Sequence, residues 1–541
     1  MPTSLAAPRR LTITLAPYTG SWTAAEAGHL LRRATYAPLA TEIDEAVGLG
    51  LTATLNRLLT QQPAAPPPIY YDYDSHPEAG LGDTWEGLYT NPDDRTQDNN
   101  ARNRSTYAWL MLNQANGGMN LREKMVFFWQ NHFGMSSPGD ARTNLRFLRL
   151  FQAAAYGDFR QLLKDITIDV GMLRFLNGNV STAASPNENF AREVMELFTL
   201  GKGPLAGAGD YTTYTEQDVT ELAKAFTGWR TRNVNSSEPG VESESYYQAN
   251  RHDTTTKQLS ARFNNVTIPN TEENEYANVV DVILAREEVS RFLCRKLYRF
   301  FVYYEIDAAV ENNVIEPLAA IMRANDYQMA PVLRALLGSQ HFYESQFVGA
   351  LVRSPLEVVH GVFRPLGYYF NQGSEVENYK AALRAYTQAR DMGLEMLRPP
   401  SVSGWTAYYN APAYYRLWLN TATLQHRNQF YGIALRNNGF FWDGNAHPFD
   451  LIAYVDTFPD AYDPFVMIER MAKDFLPRPL AAAQLQALRD LLLPDIDDFV
   501  WGNEYGNLQA NPNDEALRVS VTRRLQAMLR GMYQLAEFQV F

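Results

Sequence analysis

Helix punctuation recurs along almost the whole chain, and it restricts the fold more than any other feature of the sequence. Thr23-Ala-Ala-Glu26 has capping-box spacing at the head of the amphipathic run AAEAGHLLRRATYA. Asn120 precedes LREKMVFFWQNHF, and Gly134 follows it where a left-handed backbone is tolerated. Asp158 precedes FRQLLKDITI, Pro186-Asn187 opens ENFAREVMELFTL, which stops at Gly201, and Thr215 precedes EQDVTELAKAFTGW. Further helices are expected near 41–46, 51–59, 143–156, 276–302, 315–323, 330–338, 354–366, 375–397, 413–428, 479–493 and 515–532. No run of about 18 uninterrupted apolar residues occurs, so no transmembrane segment is expected.

Three stretches interrupt the pattern. Residues 62–105 are dominated by Pro, Gly, Asp, Asn and Tyr and read as an excursion from the helices. Residues 231–275 hold Tyr/Thr/Val-rich runs between turn residues, which predicts a small β-hairpin insertion. Residues 431–475 read as irregular connection. The expected fold class is therefore mainly α: a large multi-helix domain with a small β-hairpin insertion and irregular loop excursions. Its parts are N-terminal helices at 1–61, the excursion at 62–105, a main helical domain at 106–430, and a connection with C-terminal helices at 431–541.

Composition narrows the function. Hydrophobic residues at 46% and charged residues at 20% are those of a packed globular chain, not a disordered one. The formal net charge of −12 argues against nucleic acid as a partner. The single cysteine, Cys294, excludes internal disulfides and multi-cysteine metal sites. Residues 1–20 lack the apolar core of a secretory signal.

The densest polar cluster is Asn187-Glu188-Asn189-Phe190-Ala191-Arg192-Glu193-Val194-Met195-Glu196. Helical spacing puts Asn189, Glu193 and Glu196 on one face, a pattern that suits metal binding or acid–base work. A solvated stripe with Glu188 and Arg192 as an i,i+4 pair is the plainer explanation. Asp218 has the capping-box offset from Thr215. His132 ends its helix, where a protonated imidazole would meet the negative helix end. His252 and Asp253 are neighbours, and neighbours on a strand point to opposite faces. No G-x-S-x-G, H-E-x-x-H, nucleotide-binding loop or C-x-x-C occurs.

The blocks HLLRRATYAP (29–38), LREKMVFFWQNHF (121–133), PNENFAREVMELFTLGKGP (186–204) and YTEQDVTELAKAFTGW (214–229) occur in that order. The His252-Asp253 pair, FLCRKLYRFFV (292–302), RSPLEVVHGVFR (353–364), LRPPSVSGW (397–405) and the closing RGMYQLAEFQVF follow. Together they resemble the bacterial domain of unknown function 1800 family. The resemblance implies a mainly helical, usually extracytoplasmic protein, often encoded beside a second family that resembles phosphatases and sulfatases. It implies no established activity. The family's recurring polar positions map to His29, His132, Asn187, Glu188, Asn189, Arg192, Glu193, Glu196, Asp218, Trp229, His252, Asp253, Gly404 and Trp405. The chain departs from the family in lacking an obvious export signal and in carrying Arg353 where Lys is usual.

Two functional readings follow. In one, the chain is a hydrolase-like enzyme acting on an extracellular polymer or its modifications. Glu193, Glu196, His132 and Arg192 are then the catalytic candidates, and Glu193, Glu196, His252 and Asp253 the candidate ligands of a divalent metal. In the other, it is a non-catalytic binding or assembly protein that partners a phosphatase- or sulfatase-like protein, and the polar motifs are caps and buried locks.

Overall fold

The computed structural model describes residues 13–137, 139–368, 373–405 and 417–541. Residues 1–12 of the leader reading and 413–416 of the helix expected at 413–428 lie outside them. The described part of that helix runs Thr421–Ala434, with Asn420 as its cap. The architecture is mainly helical, and its strands form two-stranded antiparallel hairpins.

The first helix, α1 (Ala24–Ala34), starts as its capping box dictates: the Ala25 amide donates to Thr23 Oγ1, and Glu26 accepts from the Thr23 amide at 3.0 Å. It packs on α2 (Ala40–Leu49). The excursion at 62–94 is irregular but ordered around buried aromatics, Tyr70 and Trp85. Helix α3 (Arg95–Asn116) then begins ten residues inside the stretch expected to be non-helical. Its first turns are polar because they are paired inward. Asp98 and Arg102, both buried, form an i,i+4 ion pair at 2.7 Å, and Tyr70 Oη donates to Asp98 at 2.5 Å. Trp85 Nε1 donates to Ser105. Polarity in this sequence therefore marks a buried network rather than a loop.

Helix α4 (Arg122–Phe133) ends at Gly134, whose φ is 56°. There the chain is pressed against a distant loop: a Cβ on Gly134 would lie 2.0 Å from the Val402 carbonyl oxygen, and one on Gly404 would lie 2.2 Å from that of Asn131. The Trp405 amide donates to Asn131 Oδ1 at 2.6 Å. The WQNHFG and SVSGW motifs are thus two halves of one close backbone contact.

Next come α5 (Glu188–Glu196) and α6 (Glu216–Ala225), which pack together. Between them lies the hairpin β1 (Leu205–Gly207) and β2 (Asp210–Tyr211). The expected insertion contains β3 (Trp229–Arg232) paired with β4 (Glu244–Tyr247), and a short pair, β5 (Lys257–Gln258) and β6 (Thr267–Ile268). Helices α7 (Glu275–Leu284) and α8 (Glu287–Phe301) return to the core. Helix α9 (Pro355–Phe363) is followed by α10 (Glu375–Asp391), which lies along α3 with Tyr107 and Tyr386 stacked at 4.3 Å. The stretch at 431–475 is more regular than its composition predicts. It contains the hairpin β7 (Phe440–Trp442) and β8 (Asn445–His447), a short helix at Leu451–Val455, and α11 (Pro464–Phe475). Aromatic packing compensates for the turn-rich sequence: Phe440 and Phe449 both contact Phe363.

The final residues double back into the core. The Arg353 amide donates to the Gln539 carbonyl, and the Phe541 amide to that of Leu351. The Phe541 ring receives the guanidinium of Arg33 at 4.8 Å and the ammonium of Lys124 at 5.0 Å. Lys124 also pairs with Glu357. Side chains from three sequence blocks, 29–38, 121–133 and 353–364, so meet in one buried charged cluster.

Candidate functional site

Helix α5 is the centre of the predicted polar motif. Asn187 caps it through Oδ1, which accepts from the Phe190 amide. The apolar face of Phe190, Ala191, Val194 and Met195 is buried. Arg192 does not pair with Glu188. It reaches α6 and binds Glu216 through both Nη atoms at 2.7 Å, a bidentate fork that holds the Glu216 carboxyl below its usual range. Glu188 instead accepts from Thr220 Oγ1 at 3.2 Å. Glu196 accepts from Tyr214 Oη at 2.7 Å and lies 3.8 Å from Lys202. Among the described residues Glu193 has no hydrogen-bond or ion-pair partner for its carboxyl. Partial burial, and next the charge of Glu196, raise its pKa above the ordinary range.

His132 is buried and meets the C-terminal end of α5 rather than that of its own helix. Nε2 lies 3.1 Å from the Phe198 carbonyl, which can only accept, so Nε2 carries the proton. Nδ1 then accepts from Lys296 Nζ at 3.1 Å, and Lys296 also donates to the Leu197 carbonyl at 3.1 Å. Two side chains thus satisfy carbonyls left open where α5 ends. Burial, with Lys296 alongside, holds the His132 pKa well below its ordinary value. The imidazole is therefore neutral, not the cation that a helix-end position predicts. Burial, with Arg299 nearby, brings the Lys296 amine down to about 7.

His252 and Asp253 belong to a third network. They follow a short turn, Ala249–Arg251, and are not on a strand, so they are free to serve one cluster. His252 Nδ1 donates to the Thr227 carbonyl at 2.9 Å and Nε2 to Glu275 at 3.0 Å. The other Glu275 oxygen is 2.6 Å from Lys257 Nζ, and all three side chains are buried. Asp253 completes the set at 3.7 Å from Lys257. Burial opposes the imidazolium, but the Glu275 and Thr227 hydrogen bonds outweigh it and the His252 pKa is raised. The network ties the end of α6, the hairpin, β5 and the start of α7. Asp218 closes the other end of α6: it completes the Thr215 capping box and accepts from the Ser260 amide and hydroxyl at 2.7 Å each.

The predicted residues are thus gathered in three places. Arg192, Glu193 and Glu196 lie along α5, His132 lies under its end, and His252 with Asp253 lies in the Glu275 network. Among the described residues no group of three or more His, Cys, Asp or Glu is arranged to hold a metal ion. Lys257, Glu275 and Lys296 are absent from the sequence-derived set: a charged residue on an amphipathic helix, as Lys296 is, reads as its wet face, and Lys257 and Glu275 fall within the stretch read as a hairpin insertion.

A cavity of about 700 Å³ lies beyond the end of α5, between the Gly201–Pro204 turn and the N-terminal half of α8. Gly201, with φ 71°, lets that turn approach the Phe292 ring, which a Cβ would meet at 3.0 Å. Three arginines line the cavity. Arg291 pairs with Glu316 and Glu287, and Arg295 with Glu311 and Glu288. Arg286, at the N-cap of α8, is different. Its guanidinium lies 5.1 Å over the Phe263 ring, and its buried Nη1 has no hydrogen-bond partner among the described residues.

Fold and site together define a mainly helical protein with a cavity lined by both arginines and glutamates, and with no helix, among the described residues, long and apolar enough to cross a membrane. The chain belongs to the family described as protein of unknown function DUF1800, whose model matches residues 29–502. Comparison with curated proteins and with solved structures gives no match.

Proposed function

We propose that this protein binds a ligand bearing an oxyanion, a phosphate or sulfate ester, in the cavity between the Gly201–Pro204 turn and α8. The observation that carries the reading is Arg286: it lines a cavity of about 700 Å³, and its buried Nη1 is unmatched while Arg291 and Arg295 are neutralised by glutamates. An unmatched buried donor is costly, and an oxyanion supplies the missing acceptor with a charge-assisted bond. The volume lies in the range of small-molecule sites. On this reading the chain is the binding member of a pair, and a phosphatase- or sulfatase-like partner removes the bound group.

The test uses p-nitrophenyl phosphate and p-nitrophenyl sulfate in isothermal titration. One of them binds saturably, and Arg286→Gln weakens it at least tenfold. Equal binding by the variant, or no binding of either probe, overturns the proposal.

Hydrolysis by the chain itself is a second reading, favoured by Glu193, whose unpaired carboxyl keeps its proton to higher pH than usual. Release of nitrophenolate that Glu193→Gln abolishes supports it. Binding without release leaves the first reading alone.

A further inference from the structure

A second cavity, of about 320 Å³, lies between α1, α2, α11 and the Leu476–Leu480 segment. Its walls are apolar, with Ala25, Ile43, Ala472, Leu476, Pro477 and Leu480 contributing. At its rim, Lys473 and Arg478 are matched in number by Asp44 and Glu469, so those charges cancel. The remaining charge is Arg32, only 8% exposed, which also lines the cavity.

Among the described residues Arg32 makes no direct ion pair. Its Nη2 donates to the Lys473 carbonyl at 2.5 Å. Asp474 is its electrostatic partner at longer range, and that carboxylate is shared: Oδ1 accepts from the Ala40 amide at 2.7 Å and lies 3.6 Å from Arg470, and Oδ2 accepts from Tyr454 Oη at 2.7 Å. Gly28 makes room for the guanidinium, since a Cβ there would lie 2.6 Å from Arg32 Nη1. A buried cation facing an apolar hollow is expensive unless something negative comes to it.

We infer that this hollow is a binding site for an aliphatic carboxylate, with the chain along the apolar walls and the carboxylate on Arg32. Charge complementarity selects the head group and the walls select the tail. A neutral amphiphile would leave Arg32 as it is, and a compact anion would leave the walls unused. The site is separate from the Arg286 cavity, and neither depends on the other.

Isothermal titration with sodium decanoate below its micellar concentration tests this, with decan-1-ol as the neutral counterpart. Decanoate binds one to one and decan-1-ol at least tenfold more weakly. Arg32→Met loses at least tenfold in decanoate affinity, and Arg286→Gln loses nothing. Ala25→Trp starts from an exposed position on α1 and fills the hollow without entering the core, so it abolishes binding and decides the matter even where Arg32→Met fails to fold. Absence of saturable decanoate binding, equal affinity for the alcohol, or full binding by Ala25→Trp overturns the inference.

Discussion

Lys296 Nζ stands 3.1 Å from His132 Nδ1, a lysine donating to a neutral histidine beneath the end of the most distinctive helix in the chain. Both complete the backbone of α5, and each has a depressed pKa because burial disfavours its charged form.

This gives a pH signature at the lysine. A lysine whose folded pKa is about 7 binds fewer protons when folded than when unfolded, where its pKa is about 10.4. Stability from this group therefore rises as pH climbs from 7 toward 10. Lys296→Met, of similar length but without the charge, flattens that rise. Urea unfolding at pH 7, 8 and 9 checks it, and a parallel slope in wild type and variant contradicts the assignment.

Acid acts through the buried histidines. His132 and His29 are held well below the ordinary value, His341 at about 4 and His360 at about 3, with burial the largest cause in each case. In the unfolded chain each titrates near pH 6.5, so stability falls as pH drops below about 6.5. Two-dimensional NMR of labelled imidazoles should show His132 neutral at pH 5.5 with its proton on Nε2. A doubly protonated ring there would be incompatible with the Lys296 contact.

The His252 network has the opposite sign. Its folded pKa is raised, so its stabilisation is fully present below about pH 6.5 and is lost as pH rises through the folded value. Glu275→Gln removes the nearer counter-charge of the buried Lys257, leaving only Asp253 at 3.7 Å, and gives His252 a neutral amide oxygen in place of a carboxylate. It costs about 3–5 kcal/mol, the usual penalty for breaking a buried pair. Chemical denaturation at pH 6 measures the loss, and a change under about 1 kcal/mol would show that the triad is not a lock.

The loop contact at the end of α4 makes a steric prediction. Gly404→Ala places a methyl 2.2 Å from the Asn131 carbonyl oxygen at a φ of 75°, and neither backbone has room to give. The cost is more than about 2 kcal/mol, with a lowered Tm. Gly393→Ala, at φ 95° with nothing within 4 Å of the added carbon, is the control that isolates the clash from the dihedral strain.

Helix boundaries were legible where local chemistry decides them. Thr23 with Glu26, Thr215 with Asp218, Asn187 and Gly134 all act as their residue types require. The start of α3 was not legible, because Asp98 and Arg102 are polar residues spent on each other and on Tyr70 rather than on water. The prominence of the α5 carboxylates was readable, but the destinations of their neighbours were not. Arg192 passes over Glu188, four residues away, for Glu216 on another helix, and His252 finds Glu275 across 23 positions. Arg286 gave no signal, since only its surroundings distinguish it from the paired Arg291 and Arg295.

The return of residues 539–541 onto Arg353, Leu351 and Arg33 has a consequence for biosynthesis. During synthesis α1 emerges long before Phe541, the aromatic that closes its surroundings. The motif at 29–38 therefore reaches its native surroundings only once residue 541 has emerged, and until then the adjacent Arg32 and Arg33 need temporary company, from solvent or from a chaperone.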